Sequence, residues 1–318
     1  MSFELDTKAL RYFVAVAERG SFSLAATYFR ITQPAVSRQI QAIEKAYGVR
    51  LFRQQGRRMI PTEAGEQLLK QAREVLSRLD EIGTSMQAAA REPAGRVSIG
   101  VTTSPAEILM PEVINRYRIR HPGVFVHIVQ GSSGELAELL SSGMLDLALI
   151  YGLPDRPGLS TRPLLDLQIG LVAPPCGAVA GKDPIGDARQ ISLAEAARLP
   201  LIFPGRRELL RQALELACSK AGVVPNIVLE SESLLLSKAL IKAGAGYMLV
   251  GYVGVHEEVQ QGTLRFIPLA EPGIVWRMFL VVRGTKAPSL AVRTMAEEIM
   301  DAVRRGGRDN RWRAKVLI

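Results

Sequence analysis

A stripe of apolar residues at helical spacing divides this 318-residue chain into two unlike parts. Its members recur at steps of three and four residues: Leu68, Leu69, Ala72, Val75, Leu76, Leu79, Ile82 and Met86. The stripe predicts one amphipathic helix from Thr62 to Glu92, roughly 40 Å long at about 1.5 Å per residue. Such a helix, with no local domain to pack against, favours pairing with a second copy. The alternative is a helix that lies against its own chain.

The residues before this helix, 1–61, predict three short helices and a β-hairpin. Leu10, Phe13 and Ala17 recur at helical spacing in the first helix, and Ser23–Phe29 forms the second. The third begins at Thr32, a favourable N-cap, with Pro34 in its first turn. Two strands, residues 49–52 and 58–60, then enclose a polar turn.

The third predicted helix has an apolar face and a hydrogen-bonding face. Val36, Ile40 and Ile43 form the apolar face. The outward face carries short or forked polar side chains: Gln33, Ser37, Arg38 and Gln41. Side chains of this kind, with no acid among them, suit contacts to DNA base edges, and the basic hairpin suits phosphates.

The positive charge is concentrated at the two ends of the chain. Of the net charge of +9, residues 1–92 hold 14 Lys/Arg against 10 Asp/Glu, and residues 304–318 hold 6 against 1. Residues 30–58 hold seven basic residues against the single acid Glu44. A basic cluster on a small folded unit is typical of a DNA-binding domain, although a solvated basic face has the same composition.

The run LRYFVAVAERGSFSLAATYFRITQPAVSRQIQAIEKAYGVRLFRQQGRRMIPTEAGEQLL resembles the N-terminal domain of LysR-type transcription regulators. The segments Gly20-Ser21, Gln33-Pro34-Ala35-Val36-Ser37, Leu51-Phe52-Arg53 and Pro61-Thr62 carry the resemblance. The DNA-binding residues expected at base edges or at the backbone are Ser23, Thr32, Gln33, Pro34, Ser37, Arg38, Gln41, Arg53 and Arg57. The resemblance also implies a homodimer or homotetramer on inverted-repeat promoter DNA, with RNA polymerase as a further candidate partner.

Residues 93–303 alternate strands and helices in the order of a two-lobed α/β domain. Strands at 96–101, 124–130 and 145–150 with intervening helices predict a parallel βαβαβ sheet. The chain is expected to pass between the lobes at Leu165–Gln168 and Phe266–Leu269. With Gly143-Met144-Leu145-Asp146 and Gly244-Ala245-Gly246-Tyr247, this region resembles the periplasmic-binding-protein-like effector domain of the same family.

The predicted fold class is therefore multidomain α + α/β. It comprises a winged helix-turn-helix in residues 1–61, a linker helix for dimerisation in 62–92, and an effector domain in 93–303. Its first lobe holds residues 93–166 and 270–303, and its second lobe holds 167–269. The tail, 304–318, is basic and interrupted by glycines, which predicts a flexible end. The tail is also similar to that of the nitrogen-assimilation-control-like branch of the family.

Hydroxyl side chains follow the predicted parallel strands, where ligands bind in such sheets. The residues expected to line an effector cleft, by position in the family, are Thr102, Thr103, Ser104, Ser132, Phe203 and Tyr247. Hydroxyls that cap helices and aromatic rings in the core are the alternative for each. Helix N-termini beside hydroxyls are compatible with a small anion or a polar metabolite as the small-molecule effector.

Other classes of protein are disfavoured by what the sequence lacks. Two cysteines and three scattered histidines provide neither a disulfide framework nor metal-ligand spacing, and no catalytic motif occurs. We therefore expect no enzyme, no cofactor and no metal. The polar N-terminus and the absence of a long apolar run predict a cytoplasmic protein without a membrane partner.

Two alternative functions stay open from the residues alone. One is a solute-binding or enzymatic two-lobed domain whose N-terminal helices only mediate assembly. The other keeps the family but senses thiol oxidation at Cys176 and Cys218 instead of binding a ligand.

Overall fold

In the computed structural model the chain divides into two compact units, residues 1–90 with 142–144, and residues 91–141 with 145–318. The structure describes residues 5–56, 58–88, 92–152, 158–175, 184–206, 208–284, 288–308 and 312–318. Arg57 and Cys176, both named in the sequence analysis, lie outside these ranges.

The N-terminal unit has the predicted order of three helices, a hairpin and a long helix. Its elements are α1 (Thr7–Arg19), α2 (Phe22–Phe29), α3 (Gln33–Tyr47), β1 (Phe52–Gln55), β2 (Arg58–Pro61) and α4 (Glu63–Ala88). The Asp6 side chain caps α1 by accepting the Ala9 N–H at 2.6 Å, and Ser21 caps α2. Gly20 ends α1 at φ 64°, a left-handed conformation that glycine adopts without steric cost.

The core of this unit is built from the inward faces of all four helices. Phe13, Ile40, Ile43 and Phe52 are among its buried members. The first half of α4 joins the same core through three further residues, Leu69, Ala72 and Leu76. The expectation that the long helix has no local domain to pack against is therefore wrong for this half, because its apolar stripe covers α1. Val75 and Leu79 of the same stripe remain exposed.

The C-terminal unit consists of two α/β lobes. The first lobe begins with β3 (Gly95–Val101), α5 (Thr103–Ile108), α6 (Met110–Arg120), β4 (Val124–Gln130), α7 (Ser133–Ser141) and β5 (Leu147–Tyr151), and β6 (Leu159–Ala173) leads out of it. The second lobe holds α8 (Leu193–Arg198), β7 (Leu201–Phe203), α9 (Leu209–Lys220), β8 (Ile227–Glu230), α10 (Leu234–Lys242), β9 (Met248–Gly251), a 3-10 helix (Tyr252–Val255), α11 (His256–Gln260) and β10 (Arg265–Pro268). The chain then returns through β11 (Val275–Arg283), α12 (Leu290–Arg308) and β12 (Ala314–Val316).

The strand β6 connects the lobes. In the first lobe β3 pairs in parallel with β4 and β5, as predicted, and β11 lies antiparallel between β5 and β6. Residues 159–168 of β6 pair with β11, whereas residues 169–173 pair with β9 and β10 in the second lobe. The predicted return passage at Phe266–Leu269 is wrong, because β10 occupies most of it and pairs with β6. The chain returns just before Val275, where the Ile274 carbonyl accepts the Ile169 N–H at 2.9 Å.

The described residues of the C-terminal tail, 304–308 and 312–318, are folded, which corrects the expectation of a flexible end. The last long helix continues to Arg308, and β12 pairs antiparallel with Leu165–Leu167. Trp312 is 4% exposed and belongs to the core of the first lobe. An aromatic anchor and a strand partner that is distant in sequence offset the low helix propensity of Gly306-Gly307.

A buried carboxylate fastens α12 to α6. Glu298 is 3% exposed and accepts hydrogen bonds from three guanidinium groups. These groups belong to Arg116 at 2.9 Å, Arg120 at 2.7 Å and Arg305 at 3.2 Å. Several charged donors satisfy the carboxylate where water cannot reach it.

Candidate functional sites

The outward face of α3 is free for contacts, as the sequence predicts. Gln33, Pro34, Arg38 and Gln41 are exposed and Ser37 is half-buried. On the opposite face lie the buried side chains of Val36, Ile40 and Ile43. Thr32 occupies the N-cap position with an exposed side chain. The helix therefore presents amide, hydroxyl and guanidinium groups together, which is the set that can recognise base edges in a major groove.

Two of these polar side chains are already held by hydrogen bonds. The Ser23 hydroxyl on α2 donates to Gln33 Oε1 at 3.3 Å, and Arg38 Nε donates to the Pro34 carbonyl at 3.3 Å. Neither bond uses the Gln33 amide NH2 or the terminal nitrogens of Arg38, so these groups can still donate. Ser23, which sequence reasoning assigned to the DNA backbone, thus also positions Gln33.

The hairpin of β1 and β2, here called the wing, extends from the same unit. Its register sets Arg53 opposite Ile60 and Gln55 opposite Arg58, and both arginine side chains are exposed. The Met59 N–H donates to the carbonyl of Gly20 at 2.8 Å, which joins the wing to the turn after α1. Arg58 adds an exposed positive charge that the sequence prediction did not include among its site residues.

Glu44, the single acid in the basic segment, is turned away from the outward face. Its Oε1 accepts the Leu51 N–H at 2.7 Å and its Oε2 lies 3.4 Å from Arg50 Nη1. The carboxylate joins the end of α3 to the start of the wing. The carboxylate therefore lies away from the outward face, and its negative charge acts on phosphates there only at longer range.

A cleft of about 740 Å³ lies between the two lobes of the C-terminal unit. It opens at the carboxyl ends of β3 and β4, where the sequence placed a ligand site. Four of the six residues predicted to line it do so: Thr102, Thr103, Ser104 and Ser132. Gln130 donates to the Thr103 hydroxyl at 3.1 Å and holds it at the edge of the cleft.

Phe203 and Tyr247 do not line the cleft, which corrects two of the predicted positions. Both are buried in the core of the second lobe, Phe203 at 1% exposure and Tyr247 at 3%. Their chain neighbours Ile202 and Met248 line the cleft instead. Successive side chains of a strand point to opposite faces, so a position one residue away selects the other face.

The predicted anion position at Ser132 is filled by the chain's own carboxylate. Glu135 Oε2 accepts both the Ser132 N–H and the Ser132 hydroxyl, each at 2.9 Å. These hydrogen bonds, from the backbone first and then from the hydroxyl, lower the pKa of Glu135 below its usual range. The carboxylate is therefore charged at neutral pH and occupies the donors that an anion would need.

Four carboxylates and an aromatic wall were missed by the sequence reasoning. Glu135 and Glu138 line the first-lobe side of the cleft and Glu208 and Glu232 the second-lobe side. Burial, with repulsion from Glu135 and Glu232, raises the pKa of Glu208. The aromatic wall is formed by Trp276, which is stacked on Tyr151 at 6.3 Å between ring centroids. The four acids lie on separate segments of both lobes, and charge in the sequence does not reveal which side chains converge.

The described residues offer no reactive thiol, metal site or membrane-spanning helix. Cys218 is buried, and burial raises the pKa of its thiol, which keeps it protonated and unreactive. Within the described ranges, no three His, Cys, Asp or Glu side chains are placed to hold a metal ion. Among the described helices, none has the length and apolar character required to span a membrane.

Comparisons with known proteins agree over both units. The family model "Bacterial regulatory helix-turn-helix protein, lysR family" matches residues 7–66, and "LysR substrate binding domain" matches residues 90–304. The HTH-type transcriptional regulator BbuR of Bordetella bronchiseptica is 29% identical over 97% of this chain and 93% of its own length.

Solved structures share the fold over almost the whole chain. A full-length variant of OxyR from Pseudomonas aeruginosa superposes with a TM-score of 0.71 at 21% identity and covers 95% of both chains. Full-length CbnR in complex with its target DNA gives a TM-score of 0.66 at 23% identity and covers 95% of this chain and 99% of its own. With two family models that together match most of its residues, the chain belongs to the LysR family of bacterial transcription regulators, which have a helix-turn-helix DNA-binding domain and a substrate-binding domain and are not enzymes.

Proposed function

We propose that this regulator reads inverted-repeat promoter DNA through the outward face of α3 and that a polar small molecule in the lobe cleft controls it. The observation that carries the DNA-binding part is the outward polar row of exposed Gln33, Arg38 and Gln41 with half-buried Ser37, and the one acid of the basic segment turned inward. A dimer or tetramer would present two such helices to half-sites about 34 Å apart. A protein that binds promoter DNA in a bacterium works in the cytoplasm.

Gel-shift titration and footprinting on the DNA upstream of the gene test this proposal. Arg38→Ala is expected to weaken specific binding by about 1–3 kcal/mol, since it removes a forked donor at a base edge. Lys70→Ala is the matched control, because Lys70 is exposed on α4 and its loss changes the charge of the same unit equally. Equal losses in both variants, or no protected inverted repeat, would contradict base readout by α3.

The charge of the cleft favours a ligand with a positively charged or donating end over a small anion. Among the described residues that line the cleft, four are glutamates and none is lysine or arginine. The half-buried carboxylate of Glu208, whose pKa is raised, would be stabilised in its charged form by a neighbouring cation. The hydroxyls of Thr103 and Ser231 and the face of Trp276 add polar contacts and a cation–π surface.

Thermal denaturation with matched small molecules distinguishes the two ligand classes. Short alkylamines and amino alcohols are compared with carboxylates of equal chain length on the full-length protein. A ligand at about 100 times its Kd raises the stability by about 2.7 kcal/mol, so the favoured class raises the melting temperature. Glu232→Gln is expected to reduce the effect of amines. Stabilisation by carboxylates alone would refute the proposed ligand class.

A further inference from the structure

The last residues of the chain lie beside the point where β6 passes from one lobe to the other. β12 pairs with Leu165–Leu167, and the Leu317 N–H donates to the Leu164 carbonyl at 2.9 Å. β9 of the second lobe pairs with Ile169–Val172. The Ile169 N–H donates to the Ile274 carbonyl just before β11, and its carbonyl accepts the Leu269 N–H just after β10, so β10 and β11 lie along one edge of β6. β12 and β9 therefore lie along the other edge. On β6, β12 pairs up to Leu167 and β9 pairs from Ile169, so only Gln168 separates the two partners.

Trp312 anchors this segment behind the wall of the cleft. Its ring borders a small apolar cavity together with Tyr151 and Val253, and both of these residues also line the cleft. A Cβ at Gly306 would collide with the indole ring, so the glycine of α12 makes room for it. A ligand that moves Tyr151 or Val253 therefore changes the packing of Trp312 directly.

Arg313 carries the contact to the second lobe. Its guanidinium lies 4.4 Å from the ring centroid of Tyr252, which follows β9 and packs edge-on against Phe266 of β10 at 5.3 Å. Lys315, two residues on, stands opposite Asp166 on β6. Residues 312–318 thus contact both lobes: Trp312 is buried in the first lobe, β12 pairs with β6 where it passes between the lobes, and Arg313 lies over Tyr252 of the second lobe.

We propose that residues 312–318 form a hinge strap that sets the angle between the two lobes and transmits occupancy of the cleft. The transmission of cleft occupancy rests on the proposed control by a cleft ligand. The effect of the strap on the angle between the lobes does not, because the strap acts in the free protein as well. The buried indole N–H of Trp312 finds no acceptor among the described residues, which offsets part of the gain from burying the ring. The strap is therefore held by the packing of the Trp312 ring and the pairing of β12, without a hydrogen bond from the indole N–H to a described residue.

Measuring the distance between the lobes tests the strap without any effector. Spin labels are attached to cysteines introduced at Arg118 on α6 and Lys220 on α9, both exposed, in a Cys176→Ser, Cys218→Ala background. The labelled full-length chain is diluted with unlabelled protein so that distances within one chain dominate. The native tail is expected to give one narrow distribution. Arg313→Ala is expected to broaden it or shift it measurably, and Arg313→Lys to restore it, since lysine keeps a cation over Tyr252.

Arg304→Ala is the matched control, because Arg304 lies on α12 near the tail and pairs only with Asp301 among the described residues. It is expected to leave the distribution unchanged. Fluorescence in a Trp276→Phe background, where Trp312 is the one tryptophan left, verifies that the strap is still seated in each variant. A seated strap with an unchanged distribution in Arg313→Ala would overturn the proposal. So would an equal broadening in Arg304→Ala. Neither result depends on whether an amine or any other effector binds.

Discussion

Replacing Glu44 with alanine should loosen the junction between α3 and the wing. The carboxylate accepts the N–H of Leu51, which is 2% exposed, so water cannot replace the lost acceptor. Losing a charge-assisted bond to a buried donor costs about 2 kcal/mol. The second contact adds little, because the Arg50 side chain is 83% exposed. The expected loss corresponds to an approximately 30-fold rise in the population of the locally open state.

Native-state hydrogen exchange on the full-length chain measures this loss at the amides of β1 and α3. Glu44→Gln should lose less than Glu44→Ala, since its side-chain carbonyl still accepts the bond without the charge. Glu18→Ala is the control, because Glu18 forms only a partly exposed ion pair with Arg73 at 3.2 Å among the described residues. A surface pair of this kind contributes below about 1 kcal/mol. Equal exchange in Glu44→Ala and Glu18→Ala would refute the assignment of Glu44 as the junction.

The same substitution should change DNA binding in two opposite directions. Removing a negative charge from the basic segment raises the affinity for any duplex, because phosphates are attracted more strongly. A loosened wing lowers the affinity for the specific site, because the arginines of the wing are no longer held in one position. The ratio of specific to non-specific affinity is therefore expected to fall, and a gel-shift titration with specific and random duplexes at fixed salt measures it. An unchanged ratio would refute the positioning argument.

Three further predictions concern the packing and the ion pairs of the fold. Gly65→Ala should lower the stability by about 1–3 kcal/mol, because the new Cβ collides with the Leu51 carbonyl. Gly134→Ala is the control: its Cβ meets open space in another helix, so it should be neutral or stabilising. Thermal unfolding compares the two variants. Glu298→Gln should cost about 3 kcal/mol, since three guanidinium groups lose a buried counter-charge, and denaturant unfolding measures it. The hydrogen bond from Arg277 lowers the pKa of Asp166. The charged Asp166 therefore stabilises the folded protein above about pH 4, and this contribution is lost as the pH falls below that value. Asp166→Asn should flatten the acid limb of a curve of stability against pH.

The DNA-binding unit could be predicted from sequence because its signals are local. Val36, Ile40 and Ile43 define one face of α3, and the outward residues follow from the helical period alone. Thr102 to Ser104 were found in the same way, since the end of a parallel strand can be recognised from the strand itself. In both cases the residues that decide the position lie within a few positions of the site.

The predictions that failed depended on pairings distant in sequence. The tail composition gave no sign that Ala314–Val316 would find β6, about 150 residues earlier in the chain. Phe203 and Tyr247 were placed in the cleft by position in the family, but the alternation of a strand decides their direction, and an error of one residue reverses it. The acids of the cleft come from both lobes, so their convergence exists only in the folded domain.

Both candidate sites hold polar side chains that are already tied by internal hydrogen bonds. Ser23 holds Gln33 on the outward face of α3, and Gln130 holds Thr103 at the edge of the cleft. Fixing a long, free side chain on binding costs about 0.5–1.5 kcal/mol, so a side chain held beforehand loses less. Removing a residue that holds a contacting side chain, such as Gln130, should then weaken ligand binding less than removing the contacting residue itself, such as Thr103. At Glu135 the same arrangement has a disadvantage, because its hydrogen bonds with Ser132 occupy donors that a ligand would need.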